Sequence, residues 1–185
     1  MAKVAIVYHS GFGHTKVMAE SVAKGAASVA GTQVDLVPVA EAEAKLETLN
    51  AADAIIFGSP TYMGDVSGPF KTWADTTAKI WFGQGWKDKL AAGFTNSASP
   101  SGDKVNTLQS MWTLAMQHSM IWVSQGIMGG TKQGDLTLNR LGSYAGAMAT
   151  SLNEAPGPAN PTPDDQATAE VFGRRVAEIA KKFKG

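Results

Sequence analysis

At 185 residues with 44% apolar side chains, the chain is sized for one domain with a substantial core, and no second domain is needed. Sixteen basic residues balance sixteen acidic ones, so charge announces neither a polyanion-binding surface nor a strongly acidic docking face. The absence of cysteine removes disulfides, thiolate metal sites, iron–sulfur clusters and cysteine nucleophiles, so any redox chemistry has to come from a bound cofactor.

Residues 4–8 are an apolar run that reads as a buried strand. The run is too short for a signal-peptide core, no cleavage-site pattern follows, and no stretch approaches the roughly 20 apolar residues that span a bilayer, so a cytoplasmic address is the expectation. From 15 to about 30, Val17, Met18, Val22, Ala26 and Val29 fall near helical spacing. A second strand is expected at 34–39 and a short helix at 41–49. Residues 54–57 read as a third buried strand, stopped by Gly58-Ser59-Pro60. Phe70, Trp73, Ala74, Thr77 and Trp81 predict a helix after Ser67-Gly68-Pro69, and 90–95 is the fourth strand. Leu108, Met111, Trp112 and Ala115 share one side of a helix over 105–118, and 120–124 is the fifth strand. This alternation implies a parallel sheet wrapped by helices on both faces.

Residues 125–163 break the pattern, being rich in Gly, Asn and Pro without a period. Residues 144–151 resume the fifth strand in this reading, which makes about 125–143 a loop insertion in a single domain spanning 1–185. A closing helix is signalled by Thr162-Pro163-Asp164-Asp165, which supplies an N-cap, a proline at the first helical position and acids for the dipole.

Ligands of open parallel sheets sit beyond the carboxyl ends of the strands, where three loops carry Gly, Ser, Thr and Asn. The first, Ser10-Gly11-Phe12-Gly13-His14-Thr15, joins a strand to a helix N-terminus, where free amides and the dipole favour an anion. Ser10 and Thr15 can add hydroxyl donors. The loop lacks the lysine of a Walker loop and the spacing of the dinucleotide fingerprint, so a monophosphate on neutral donors is the reading, against an ordinary Ser/Thr-capped turn. His14 reads as a residue of the first helical turn rather than a base.

Together with Gly58-Ser59-Pro60-Thr61-Tyr62-Met63-Gly64-Asp65-Val66-Ser67-Gly68-Pro69, the first loop resembles the flavodoxin-like superfamily, and especially the WrbA-type NAD(P)H:quinone oxidoreductases. The resemblance covers residues 1 to about 124 and is weaker beyond. It implies a doubly wound five-stranded parallel sheet of order 2-1-3-4-5, non-covalent FMN as cofactor, NADPH or NADH as electron donor, a quinone as acceptor and a homo-oligomer, dimer or tetramer. It also implies that Thr61, Tyr62 and Met63 lie along the isoalloxazine, with packing of Tyr62 on the surface as the alternative. Pro60 stiffens the exit from the strand, and Gly64 permits a backbone flip or a close approach to the ring edge. Phe12 matches a position that meets the nicotinamide cofactor.

The third loop, Thr95-Asn96-Ser97-Ala98-Ser99-Pro100-Ser101-Gly102-Asp103, matches one that wraps the pyrimidine edge and ribityl chain in related proteins, mainly with backbone groups. Asn96, Ser97, Ala98, Ser99, Ser101 and Gly102 are carried over on that basis, although Ser, Ala and Pro replace the family's glycines here. Trp81 matches a tryptophan that walls the substrate pocket over the flavin; the alternative is a core or interface aromatic. Gln117-His118 stands where relatives carry paired histidines near the flavin. His118 is suited to deliver a proton to a quinone, or else is a helix-terminal His stabilised by the dipole. Catalytic roles therefore fall to His118, Trp81 and Tyr62, and no metal is assigned. A reductase of quinones, a one-electron carrier between proteins and a non-catalytic FMN-binding protein all remain compatible with this fold. The balanced charge leans toward the reductase, because carriers usually present an acidic face.

Overall fold

Strand β1 (Ala2–Tyr8) runs through the middle of the molecule, flanked in parallel by β2 (Thr32–Pro38) and β3 (Ala54–Tyr62) in the computed structural model, which describes residues 1–184. β5 (Leu90–Ser97) follows β3, and the far edge is shared by β6 (Ile121–Trp122) and β9 (Ala147–Thr150). The order β2-β1-β3-β5-β6 is the expected doubly wound order. A two-residue strand, β4 (Asp65–Val66), adds an antiparallel hairpin to the end of β3.

The central runs of β1 (residues 4–8) and β3 (residues 54–57) are apolar because helices cover both of their faces. Val4 and Ile6 point into one core with Met18 and Val22 of α1 (His14–Ala27) and Phe172 and Val176 of α6 (Pro163–Lys184). Ala5 and Val7 point into the other, with Leu49 of α2 (Leu46–Ala51), Phe70 and Trp73 of α3 (Gly68–Thr76), Trp86, and Leu108 and Met111 of α5 (Lys104–Gln117). Two glycines set the closeness of α1 and α6. A Cβ on Gly25 would stand 1.7 Å from the Glu170 carbonyl oxygen, and one on Gly173 would stand 2.0 Å from that of Val22.

Three boundaries differ from the sequence reading. β3 does not stop at Gly58 but continues through Pro60, whose missing N–H is tolerated at the far end of the ladder beside Asn96. The expected helix at 41–49 is a 3-10 turn (Val39–Glu41) followed by α2. The helix expected to carry both Phe70 and Trp81 is broken at Thr77 into α3 and α4 (Ala78–Phe82), and Thr77 Oγ1 donates back to the Ala74 carbonyl at 2.7 Å.

The fifth strand is split as anticipated. β6 pairs with Leu90 and Ala91, the chain leaves the sheet, and β9 re-enters beside Phe94 to Ser97. Gly146 permits the return, because a Cβ there would lie 2.2 Å from the Gly93 carbonyl oxygen. The excursion carries a hairpin of β7 (Thr131–Gln133) and β8 (Leu136–Leu138). Buried Asn139 closes its base by donating to the Ile127 and Ser143 carbonyls, both at 2.8 Å. Asp165, 1% exposed, accepts from Arg140 at 2.6 Å and from the Thr150 amide at 2.9 Å, joining excursion, β9 and α6. Thr162 caps α6 as expected, its Oγ1 accepting from the Asp165 amide at 3.3 Å. No helix among the described residues is long and apolar enough to cross a membrane.

Candidate functional site

Winding reverses between β1 and β3, and a cleft of about 490 Å³ opens beyond their carboxyl ends. The first loop forms one end. Gly13 takes a positive φ of 96° at the N-cap of α1, and its missing Cβ makes room for Pro156, whose ring would otherwise be 2.6 Å away. Ser10 Oγ accepts from the amides of Gly13 and Lys16, both at 3.1 Å, which leaves its hydroxyl proton free. Among the described residues, no protein group accepts from the amides of Gly11, Phe12, His14 or Thr15. Four unused donors at the positive end of a 14-residue helix form an anion seat.

Thr15 contributes there only through its amide. Its hydroxyl, expected to face the phosphate, is instead given to Asn96 Oδ1 at 2.6 Å, with both side chains buried. Asn96 Nδ2 in turn donates to Ser151 Oγ at 3.1 Å. Along the cleft, Thr61 Oγ1 lies 2.9 Å from Thr95 Oγ1 and 2.7 Å from Thr107 Oγ1, fixing the strand end beneath Tyr62. Tyr62 and Phe12 meet edge to face with centroids 6.3 Å apart at the cleft mouth. Burial pushes the Tyr62 hydroxyl above its ordinary pKa, so it stays protonated. Gly11 carries no side chain because the Tyr62 hydroxyl occupies the space, 2.4 Å from a would-be Cβ. His9 Nδ1 lies 2.8 Å from Ser67 Oγ and links the first loop to the second.

Of the residues expected from sequence, Phe12, His14, Thr15, Pro60, Thr61, Tyr62, Asn96, Ser97 and Ala98 line the cleft, with Ser10, Gly11 and Gly13 in the loop that closes its end. Met63 projects fully into solvent at φ 49°, and the Gly64 carbonyl accepts from Asn106 Nδ2 at 2.8 Å, so neither forms the wall. Ser99 and Gly102 pack against Ser97, Ser101 is exposed, and none of the three lies on the lined surface.

Trp81, Gln117 and His118 are not brought into this cleft. They line a separate depression at the amino-terminal ends of the strands, where the Ser119 carbonyl accepts from Asp88 just before β5. The reason is topological: α5 runs antiparallel to the strands, so its last residues emerge opposite the cleft. His118 is buried and its ring lies 4.6 Å from that of Trp86. With the Thr77 proton committed to Ala74, His118 Nε2 donates to Thr77 Oγ1 at 2.8 Å, and Nδ1 has no partner among the described residues. Burial holds the imidazole below its ordinary pKa.

Two parts of the site escape sequence reasoning. A strap containing Leu152, Asn153, Glu154 and Pro156 forms the fourth wall. It is pinned by Asn160, which accepts from the Leu152 amide at 2.9 Å and donates to the Leu152 and Glu154 carbonyls, both at 3.1 Å. His14 Nε2 donates to the Glu154 carbonyl at 2.9 Å, so His14 ties the strap down. The other is Lys104, buried behind the third loop. Unperiodic Gly/Pro-rich sequence gave no sign of the strap's course, and a lysine beside Asp103 reads as a solvated charge.

A sequence model of the family described as NADPH-dependent FMN reductase matches residues 10–134. The chain belongs to that family. Flavodoxin FldP of Pseudomonas aeruginosa is 41% identical over 189 residues, covering 99% of each chain. An NAD(P)H dehydrogenase (quinone) of Archaeoglobus fulgidus is 34% identical over 205 residues, covering 99% of this chain and 100% of the relative. The solved structure of a flavodoxin, WrbA-like protein from Agrobacterium tumefaciens superposes with a TM-score of 0.79 at 42% identity, covering 98% and 99% of the two chains. These matches place the chain among the WrbA-type, flavodoxin-like proteins of the FMN reductase family, with FMN as the implied cofactor and NAD(P)H as the implied donor. The residues present fit FMN. The four unpaired amides and the Ser10 hydroxyl match a monophosphate, and the cleft leads from them to the aromatic mouth.

Proposed function

We propose that the protein reduces quinones by two electrons at the expense of NAD(P)H, with FMN held in the cleft. The observation that carries this reading is the set of unpartnered amides before and at the start of α1, three of them on residues (Phe12, His14 and Thr15) that line the same cleft as Tyr62, Thr61 and Asn96. When bound, FMN supplies the relay for NAD(P)H + H⁺ + quinone → NAD(P)⁺ + hydroquinone, two electrons and two protons reaching the quinone.

The amides of Gly11, Phe12, His14 and Thr15 and the Ser10 hydroxyl hold the phosphate. Pro60, Thr61 and Tyr62 set one wall for the ring, and Asn96, Ser97 and Ala98 set the facing wall. Phe12, 77% exposed, and Tyr62 give the mouth an aromatic rim against which flat substrates stack in turn. Trp81 and His118 lie too far round the sheet to serve the cleft of their own chain; in this reading the exposed Trp81 walls the cleft of a neighbouring copy, whereas the buried His118 does not reach it. Exposed Trp112 and Met116 on α5 and Ile121 on β6 support association. Light scattering that finds only a 19 kDa species removes this part of the reading.

The second reading, a one-electron carrier, is supported by the 41% identity to a protein named as a flavodoxin. Mixing FMN-loaded protein with NADPH or NADH and benzoquinone separates the two. Rapid steady-state turnover supports the reductase; a bound flavin that neither nucleotide bleaches contradicts it.

A further inference from the structure

Lys104, at the first position of α5, is 1% exposed. A buried ammonium persists only where its protons are used. Here all three are, on Ser97 Oγ at 2.9 Å, the Ser99 carbonyl at 2.7 Å and the Pro100 carbonyl at 2.9 Å. These acceptors are neutral, and among the described residues no carboxylate is within ion-pair distance of it. Asp165 on α6 favours its charge from farther off, but that carboxylate is bonded to Arg140 of the excursion, whose own charge opposes Lys104; Asp103, preceding it, is exposed. A positive charge without a direct counterion therefore stands one side chain behind the cleft, since Ser97 is both its partner and part of the lining.

We propose that Lys104 is a positioning residue that sets the reduction potential of the flavin: it braces residues 97–100 and holds behind them a positive charge that favours the reduced cofactor. This rests on the FMN reading above. A hydride from NAD(P)H delivers two electrons and one proton, so the ring gains one negative charge on reduction. In the poorly screened interior a fixed cation lowers the free energy of that product relative to the neutral oxidised ring. Burial, the main cause, lowers the Lys104 pKa to about 8, so the charge is present at neutral pH and is lost at higher pH.

The test begins with fluorescence titration of the apoprotein with FMN, followed by equilibrium midpoint potentials from pH 6 to 10 for the wild type and Lys104→Met. The variant is expected to favour reduced over oxidised FMN about tenfold less at pH 7, which is about 30 mV lower for a two-electron couple. The gap should close as pH rises beyond about 8 and the wild-type lysine loses its proton. A purely structural brace would weaken both redox forms equally and leave the potential in place, so equal potentials overturn the inference. If Lys104→Met does not fold, the wild type still decides. Its reduction should draw an additional fraction of a proton per two electrons only in the window between about pH 8 and the higher pKa that Lys104 takes beside the reduced ring, and a slope with no break there overturns the proposal. Wild-type protein that never quenches FMN overturns the underlying reading and the inference with it.

Discussion

Thr15 Oγ1 donates to Asn96 Oδ1 at 2.6 Å, a buried bond that ties the first turn of α1 to the end of β5. It spans the floor of the cleft and fixes the distance between the first and third loops. The hydroxyl that sequence reasoning assigned to the phosphate holds the scaffold of the site instead.

Thr15→Val keeps the shape of the side chain and leaves Asn96 Oδ1 without its donor, which should cost about 1–3 kcal/mol of stability. Asn96→Ala removes the same bond from the other side. Urea denaturation of both variants and the double mutant should show coupling of about 1 kcal/mol or more, as for residues in direct contact. Strict additivity would mean that the two loops are held by something else.

Gly13→Ala meets two obstacles, the left-handed backbone at φ 96° and the ring of Pro156. The backbone alone should cost about 1–2 kcal/mol. FMN affinity should fall by at least about tenfold, the equivalent of about 1.4 kcal/mol at the anion seat. Adding Pro156→Gly should recover only the steric share. Full recovery by that second change would show the positive φ to be unimportant, and fluorescence titration measures it.

Asp165→Ala strands Arg140 and the Thr150 amide together. Arg140 keeps partial access to water, so the loss should be about 2–3 kcal/mol rather than the full cost of an unpaired buried ion. Because β9 leads directly into the strap, the variant should also be cut faster by protease within 151–161. Unchanged proteolysis would separate the strap from this ion pair.

His118 is held below its ordinary pKa by burial, so the folded state resists its protonation. The unfolded chain then binds more protons as pH drops through the ordinary imidazole value of about 6.5, and stability falls with it. His9, lowered in the same way, contributes in the same direction. Thermal melts at pH 5, 6, 7 and 8 should show a decline below neutrality that is shallower in His118→Gln. An identical pH profile would place the titration elsewhere.

The architecture was legible because both faces of β1 and β3 are covered, which makes their sequence continuously apolar, and because the loops beyond them punctuate it with Gly, Ser and Thr. The split of the fifth strand was legible for a similar reason: Ala147 and Ala149 restore a strand pattern after a glycine-rich gap. The break at Thr77 was not, since Trp81 keeps helical spacing from Phe70 whether or not the helix is continuous. His118 and Trp81 were assigned to the cofactor by likeness alone, and helix polarity carries both to the far end of the sheet. Lys104 and Asn160 were missed because each acts on main-chain carbonyls, which leave no trace in residue identity.

The interruption between β6 and β9 makes the appended hairpin exchangeable. Each half of the broken strand hydrogen-bonds to β5 by its own register, so the length of the hairpin tip between β7 and β8 does not propagate to the lip of the cleft, provided that Asn139 and Arg140 at its base are kept. That tip is also the natural point at which to splice in a tag or a reporter.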